Sequence, residues 1–203
     1  MGLSIYYSGR LREVEFLPAL IEEIKDVSDV YGWKYHVFNT HFPSDTFENH
    51  TSFEEVYGIC FTPTRCETIS FVFLTNGRMV SPDYIDFFAH TENEHYIFNV
   101  SVKTQFAGII IHQLLIQLIR YLNNKYFEDF KLRDESYYWE TNDDNLMRKQ
   151  FKMYDDLLDN IELSAQTFPI KPEENVISYF GRLMTHIVNL KNNLCQGDGG
   201  KSQ

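Results

Sequence analysis

The stretch TISFVFLTNGRMV, residues 68–80, indicates the fold class more directly than any other part of this sequence. Residues 68–74 are rich in β-branched and aromatic side chains and largely apolar on both faces, which is typical of a central strand covered on both sides. Asn76 and Gly77 follow, and both tolerate the positive φ angles of a tight hairpin turn. We therefore expect residues 78–80 to return antiparallel to this strand.

Strands and helices alternate on either side of this hairpin. Alternating patterns predict further strands over residues 3–7, 33–38, 55–61, 95–103 and 127–132. Apolar residues at spacings of three and four predict a helix that begins at Phe16 and stops at Gly32, and a second, buried helix over residues 106–122. No glycine-rich loop joins a strand to either helix, which disfavours a doubly wound nucleotide-binding fold. The sequence therefore predicts an α+β fold, with a mixed or mainly antiparallel sheet and two helices packed on one face.

Four local features add detail to this prediction. Gly58 lies inside a strand and marks a bulge or a close backbone approach. Thr104 is the expected N-cap of the buried helix. Residues 83–94 are expected to form an irregular connection, and residues 137–139 a further strand.

The C-terminal part of the chain is expected to be a helical pair. Its first helix begins at Asp143 and Asp144, where the backbone dipole favours negative charge. The second helix is amphipathic, and its apolar side either folds back on the domain or pairs with a second subunit, which leaves a homodimer open. We therefore divide the chain into an α+β domain over residues 1–168, this helix within 169–195, and a disordered tail over 196–203.

The chain is acidic, and this limits its partners. It holds 18 Lys and Arg against 29 Asp and Glu, a formal net charge of −11, with no run rich in Lys or Arg. Nucleic acid and anionic membrane surfaces are therefore not expected partners. The apolar-rich stretch 106–121 is too short and too polar to span a bilayer, and no signal peptide is evident. Three cysteines, an odd number, disfavour a disulfide-stapled secreted domain, so we expect a cytoplasmic protein.

Signatures of catalysis and of cofactor binding are missing from the sequence. It contains no P-loop, dinucleotide fingerprint, HExxH motif, nucleophile elbow or paired CxxC, so we expect no cofactor and favour a non-enzymatic protein. His112, in the apolar helix, is a candidate general base, with Glu135 or Glu140 as its acid–base partner. A small hydrolase-like enzyme is therefore one alternative, and a hydrogen-bonded core histidine is the other interpretation of His112.

The segment from residue 90 to residue 95 is the candidate metal site. It contains His90, Glu92, Glu94 and His95, and the first three would share one face of an extended chain. A solvated polar loop explains the same residues, and we predict no metal.

Residues 134–141, DESYYWET, are the candidate binding surface. Carboxylates flank three consecutive aromatic residues, and Tyr and Trp supply the amphipathic contact area that dominates recognition surfaces. Residues 128–162 hold 11 acids and five bases, so a basic partner would be attracted. Lys103 could add an anion contact where a strand meets the buried helix. The candidate binding residues are Glu135, Tyr137, Tyr138, Trp139, Glu140 and Lys103.

Two resemblances accompany this interpretation. Residues 101–108, SVKTQFAG, and 137–141, YYWET, resemble segments of an uncharacterised family of bacterial proteins over residues 3–163. That resemblance implies no catalytic residue. The order of elements is similar to gyrase-inhibitor-like domains, built from paired strand-helix-strand-strand modules, which implies a small-molecule-binding domain as a second alternative. Our main expectation is a binding or regulatory module of immunity type, whose protein or small-molecule partner the sequence does not identify.

Overall fold

The computed structural model describes residues 2–49 and 51–197, without the side chains of residues 164–167 and 187–197. The chain divides into two compact units, Met1–Phe151 and Lys152–Gln203. The predicted domain boundaries, at residues 168 and 195, stay predictions. Residues 198–203 of the predicted tail lie outside the described residues.

The elements follow one another as a mixture of strands and helices. In chain order they are β1 (Ser4–Leu11), α1 (Phe16–Tyr31), β2 (Lys34–Val37), β3 (Tyr57–Thr62), β4 (Ile69–Phe73), β5 (Met79–Val80), α2 (Pro82–Phe88), β6 (Val100–Lys103), α3 (Ile109–Tyr126), β7 (Phe127–Asp134), α4 (Tyr138–Thr141), α5 (Asp144–Thr167) and α6 (Val176–Gly197). Short 3₁₀ helices cover Glu94–Phe98 and Gln105–Ala107. The predicted α+β class is confirmed.

The named strands pair antiparallel and form two sheets, ordered β6-β1-β7 and β2-β3-β4-β5. The predicted central strand is β4, which lies between β3 and β5 with all five of its residues buried. The hairpin after β4 is confirmed, because Val72 pairs with Val80 and Phe73 with Met79. Helix α1 contacts β2, β3 and α3, and α3 also contacts β7. Among the described residues, no helix is long and apolar enough to cross a membrane.

Aromatic side chains join the two sheets in the core. The Tyr7 ring on β1 lies 5.8 Å from the Phe71 ring on β4, and the Tyr7 hydroxyl donates to the Ser70 carbonyl at 2.9 Å. Burial raises the pKa of Tyr7, so its hydroxyl keeps the proton that it donates. Phe127 of β7 stacks on Phe71 at 5.6 Å and lies 6.1 Å from Phe73. These contacts fix β1 and β7 against β4.

Three predicted boundaries were wrong for local reasons. Residues 83–94 include α2, which begins with Pro82 at its first position and is only seven residues long, too short for its apolar spacing to be recognised as a helix. The predicted strand over residues 95–103 is a 3₁₀ helix followed by the shorter β6. Residues 137–139 are not a strand, because α4 begins at Tyr138.

The start of the buried helix also differs from the prediction. Helix α3 begins at Ile109, after Gly108, and continues to Tyr126 instead of ending near residue 122. Thr104 therefore precedes α3 by five residues. Its hydroxyl does not cap a helix but faces His112.

The unit Lys152–Gln203 contains most of α5 and all of α6, the predicted C-terminal helical pair. Within it, Arg182 donates to Glu174 at 2.8 Å and lowers the pKa of that carboxyl to about 2. Over the part of α6 whose side chains are described, the exposed apolar residues are Val176, Ile177, Phe180 and Met184. A homodimer through this helix stays a prediction.

Among the five described glycines with a positive φ angle, Gly32 and Gly58 lie at positions that the sequence singled out. Gly32 has φ 65° and ends α1 as predicted, with its N–H directed at the carbonyls of Ser28 and Asp29. Gly58 has φ 122°, and a Cβ atom at this position would lie 2.2 Å from the carbonyl oxygen of Phe71. The predicted close approach at Gly58 is therefore confirmed, whereas the space around Gly32 is open.

We expect Gly58→Ala to lower the free energy of unfolding by about 3 kcal/mol or more, because the new methyl group would force β3 away from β4. Gly32→Ala is the matched control: it keeps the left-handed strain but meets no atom, so it should cost about 1 kcal/mol. Urea unfolding followed by circular dichroism measures both. Equal losses of stability in the two variants would show that the close contact between β3 and β4 is not what requires glycine at position 58.

Candidate functional site

His112 lies on the buried side of α3 and is 0% exposed. Its Nδ1 is 2.8 Å from the Thr104 hydroxyl, and its Nε2 is 2.9 Å from the Ser136 hydroxyl and 3.2 Å from the Asp134 carboxylate. The Phe151 ring lies edge-on to the imidazole at 5.3 Å. We call Thr104, His112, Asp134 and Ser136 the buried polar cluster. Its members come from three separate parts of the chain.

Asp134 ends β7 and accepts most of the hydrogen bonds in the cluster. Its Oδ1 accepts from the Ser136 backbone N–H at 2.8 Å. Its Oδ2 accepts from the Ser136 hydroxyl at 2.7 Å and from the backbone N–H groups of Tyr138 and Trp139 at 3.0 and 3.1 Å. Burial raises the pKa of this carboxyl, but the hydrogen bond and charge of His112 and the bonds from Ser136 outweigh burial, so the pKa lies below its usual value. Asp134 is therefore ionised at neutral pH.

The combination of Ser, His and Asp does not have the geometry of a hydrolytic triad. In such a triad the acid and the nucleophile contact opposite imidazole nitrogens. Here Asp134 and Ser136 both face Nε2 of His112, and the Ser136 hydroxyl donates to Asp134. Ser136 and His112 are both fully buried. This geometry corresponds to the second interpretation of His112, a hydrogen-bonded core residue.

The two predicted partner acids bind other groups. Glu140 accepts from the Asp134 backbone N–H at 3.2 Å. Glu135 accepts from the Ser4 backbone N–H at 3.0 Å and from the Arg133 guanidinium at 3.2 Å. In the described part of the chain, neither glutamate hydrogen-bonds His112, so the proposed acid–base pair is not assembled.

Residues 135–142, here called the α4 turn, have an unusual backbone. Tyr137 and Asn142 flank α4, and both are left-handed, with φ 63° and 53°. Asn tolerates this conformation, but for Tyr it costs about 1–2 kcal/mol. A strained backbone conformation of this kind persists only where surrounding contacts hold it in place.

Arg120 of α3 holds the far side of the α4 turn. It donates to the carbonyls of Tyr138 and Trp139 at 2.9 and 2.7 Å and to the Asn142 side chain at 2.7 Å. Asp134 thus accepts from the N–H groups of α4, while Arg120 donates to its carbonyls. The α4 turn is fixed from both ends by buried or half-buried charges.

The six candidate binding residues do not form one surface. Tyr137 is 50% exposed and Glu140 is exposed, whereas Tyr138 is buried. Trp139 is half-buried, with its ring 6.0 Å from the Phe130 ring. Only part of the aromatic run therefore faces solvent.

Lys103 is the sixth candidate, and it lies on the other side of β1. The register pairs Ser4 with Lys103 and Ile5 with Asp134, so Lys103 and Asp134 share one end of the sheet with β1 between them. Because α3 begins at Ile109, Lys103 lies six residues before that helix, and an anion contact at Lys103 stays a prediction.

The candidate metal ligands are not gathered. The His90 ring packs edge-on to Phe53, and the His95 ring lies 4.2 Å from that of Tyr96. Within the residues that the structure describes, no group of three or more His, Cys, Asp or Glu side chains is placed to hold a metal ion, so Glu92 and Glu94 do not complete a site.

Two described cysteines, Cys60 and Cys66, are free thiols. Burial raises the pKa of both, that of Cys66 to about 12. A nucleophilic cysteine needs a lowered pKa, so these thiols are not candidates for catalysis.

Sequence analysis missed the roles of Asp134, Ser136 and Arg120. The pattern Asp-x-Ser at the end of a strand is a usable signal, because an Asp carboxylate often accepts from the N–H two residues later. Arg120 is the one residue among Asp, Glu, Lys and Arg in positions 106–124, within a mainly apolar helix, which also indicates a specific partner. The sequence does not indicate which groups Arg120 contacts, because only the folded chain brings them close to it.

Comparisons of this chain with protein-family models, with curated proteins and with solved structures give no match. The resemblances of residues 101–108 and 137–141 therefore stay predictions. Function has to be argued from the geometry of the chain itself.

We expect Asp134→Asn to lower the free energy of unfolding by about 3 kcal/mol or more, because an amide cannot accept from all the donors that face Asp134. Asp129→Asn on the same strand is the control: Asp129 is exposed and left-handed, a conformation that Asn tolerates, so the change should stay within about 0.5 kcal/mol. Urea unfolding compares the two. A similar loss in both variants contradicts the assigned role of Asp134.

The lowered pKa of Asp134 also predicts a loss of stability in acid. Its folded-state pKa lies below the unfolded value of about 3.9, so the stabilisation is complete above that pH and disappears as the pH falls through the folded-state pKa. As the pH falls below about 4, the free energy of unfolding should fall more steeply for the wild type than for Asp134→Asn. Urea unfolding at several pH values gives the dependence of the free energy of unfolding on pH for both proteins. The same dependence in both would contradict a contribution of Asp134 ionisation to stability.

Proposed function

We propose that this chain is a non-enzymatic binding protein, a regulatory or immunity-type module, and that the α4 turn is its recognition surface. The observation that carries the proposal is Tyr137, a half-exposed aromatic residue held in a strained left-handed conformation. Strain of this kind is concentrated at functional sites.

Pre-organisation supports this proposal. A flexible loop loses conformational entropy when it binds, and a loop that is already fixed avoids much of that cost. Asp134 and Arg120 hold the α4 turn through five hydrogen bonds to the backbone of residues 136–139, two of them from Arg120. Tyr137 is therefore presented to a partner in one backbone conformation.

The charge next to Tyr137 favours a basic partner. Glu140, Asp143 and Asp144 are all exposed within seven residues of Tyr137. Opposite charge on a partner would raise the rate of association and make it sensitive to salt. An exposed aromatic residue beside acids suits a partner that offers Lys or Arg near an apolar pocket.

The free thiols support a cytoplasmic location. Cys60 and Cys66 are unpaired, and proteins of oxidising compartments commonly pair their cysteines. We therefore propose that the partner is met in the cytoplasm.

Affinity capture with the tagged full chain tests the recognition surface. We expect Tyr137→Gly combined with Glu140→Lys to reduce capture of the partner by about tenfold or more, because an aromatic anchor and a charge are lost together. Glycine suits the left-handed backbone. Because Glu140→Lys removes the acceptor of the Asp134 backbone N–H, circular dichroism first establishes that the variant is folded. Asp26→Lys with Asp29→Lys, at exposed positions of α1, is the control and changes the charge by more. Equal loss in the control, or full capture by the first variant, removes the α4 turn as the surface.

Arg120→Lys tests pre-organisation, because it leaves the exposed side chains in place. Lysine keeps the charge but cannot reproduce the planar fork that reaches two carbonyls and Asn142. We expect about tenfold faster dissociation from the captured partner with little change in association rate. Surface plasmon resonance with the purified partner measures both rates. Unchanged dissociation would mean that the fixed backbone contributes nothing to binding.

A further inference from the structure

A concavity of about 470 Å³ lies on the outer face of the three-stranded sheet. It is lined by residues 6–8 of β1, residues 131–133 of β7 and Asn99. Cavities that hold small molecules measure about 300–1,000 Å³, so its size suits a small ligand. None of these residues belongs to the α4 turn or to the buried polar cluster.

The strand register explains which side chains face the concavity. Tyr6 pairs with Arg133 and Ser8 pairs with Lys131, and side chains of directly paired residues lie on the same face of a sheet. Tyr7, between them, points the other way, because its hydroxyl reaches Ser70 in the core. The outer face at this position thus carries a phenol, a hydroxyl and two cations.

The lining contains hydrogen-bond donors and cations but no carboxylate. This composition is unusual for the chain, which has 29 acids against 18 bases. Glu135 lies outside the lining but accepts from one nitrogen of Arg133 at 3.2 Å and from the Tyr6 hydroxyl at 3.5 Å. The concavity is therefore a local positive region on an acidic protein.

The two cations are available to a ligand. The Arg133 side chain is 71% exposed, and its guanidinium lies 4.9 Å from the centre of the Tyr6 ring, which limits its motion. Lys131 is exposed and forms no hydrogen bond or ion pair with the part of the chain that the structure describes. Asn99, on the connection before β6, adds an exposed amide at the rim.

We propose that this concavity binds a soluble small molecule that carries a phosphomonoester group. Positions 131 and 133 lie two residues apart on one strand, about 7 Å between Cα atoms, so both side chains can converge on one anion. A phosphate dianion has three acceptor oxygens, enough for the Arg133 fork and the Lys131 ammonium together. The Ser8 hydroxyl can donate to an oxygen that remains, and the Tyr6 hydroxyl can do so by exchanging its 3.5 Å bond to Glu135 for one to the ligand. A carboxylate has two oxygens and matches Arg133 alone.

This inference does not rest on the proposed function. The α4 turn would recognise a basic partner through Tyr137 and Glu140, whereas the concavity would take an anion through Lys131 and Arg133. The two tests substitute different residues, Tyr137 and Glu140 in one and Lys131 and Arg133 in the other, so each proposal can fail separately.

Isothermal titration calorimetry of the full chain at low salt, with glycerol 3-phosphate as the probe, tests the site. We expect saturable binding of glycerol 3-phosphate, weaker binding of inorganic phosphate and of succinate, and none of glycerol. Lys131→Gln with Arg133→Gln should raise the Kd by about tenfold or more, since each charge-assisted contact contributes about a factor of ten. Lys131→Gln alone, which keeps the Arg133–Glu135 contact, should give an intermediate Kd.

Arg148→Gln with Lys149→Gln is the matched control, because it removes the same charge from exposed positions of α5. It should leave the Kd unchanged within about twofold, a difference well below one charge-assisted contact. The proposal is overturned if glycerol 3-phosphate does not bind the wild type, if both double variants lose affinity equally, or if succinate binds as tightly as the phosphomonoester. Circular dichroism confirms that each variant is folded before titration.

Discussion

The buried negative charge of Asp134 is the constraint on which the surrounding structure depends. An ionised carboxylate away from water is strongly unfavourable unless it is paired and hydrogen-bonded. Here the donors come from His112 and from the backbone that follows β7, so satisfying the charge also sets the path of residues 135–139. The left-handed Tyr137 is a consequence, because that backbone brings the N–H groups of Tyr138 and Trp139 to one oxygen.

The same constraint extends across the three-stranded sheet. Thr104, which contacts the other nitrogen of His112, donates its backbone N–H to the Leu3 carbonyl at 2.9 Å. Glu135, next to Asp134, accepts from the N–H of Ser4 at 3.0 Å. The start of β1 is therefore held from both neighbouring strands, and α3, β6 and β7 meet at one end of the sheet.

Sequence reasoning succeeded where the signal is local. The turn at Asn76 and Gly77, the helix stop at Gly32 and the close approach at Gly58 each follow from the backbone preferences of a few adjacent residues. It failed at α2, because a helix of seven residues offers fewer than two turns from which to recognise a helical period. It could not find the partners of His112, because Asp134 and Ser136 lie 22 and 24 residues away and only the tertiary path brings them together.

Strand β7 explains how one acidic chain carries surfaces of opposite character. Successive side chains of a strand point to opposite faces, so Arg133 and Lys131 face outward while Asp134, the next residue, is buried among donors. The net charge of the chain, −11, therefore does not indicate the local charge on either face of β7. Glu135 lies at the junction, since it accepts from Arg133 on one side and from the Ser4 backbone on the other. Because one oxygen of Glu135 faces both Arg133 and the Tyr6 hydroxyl, this carboxylate offsets part of the positive charge of the concavity.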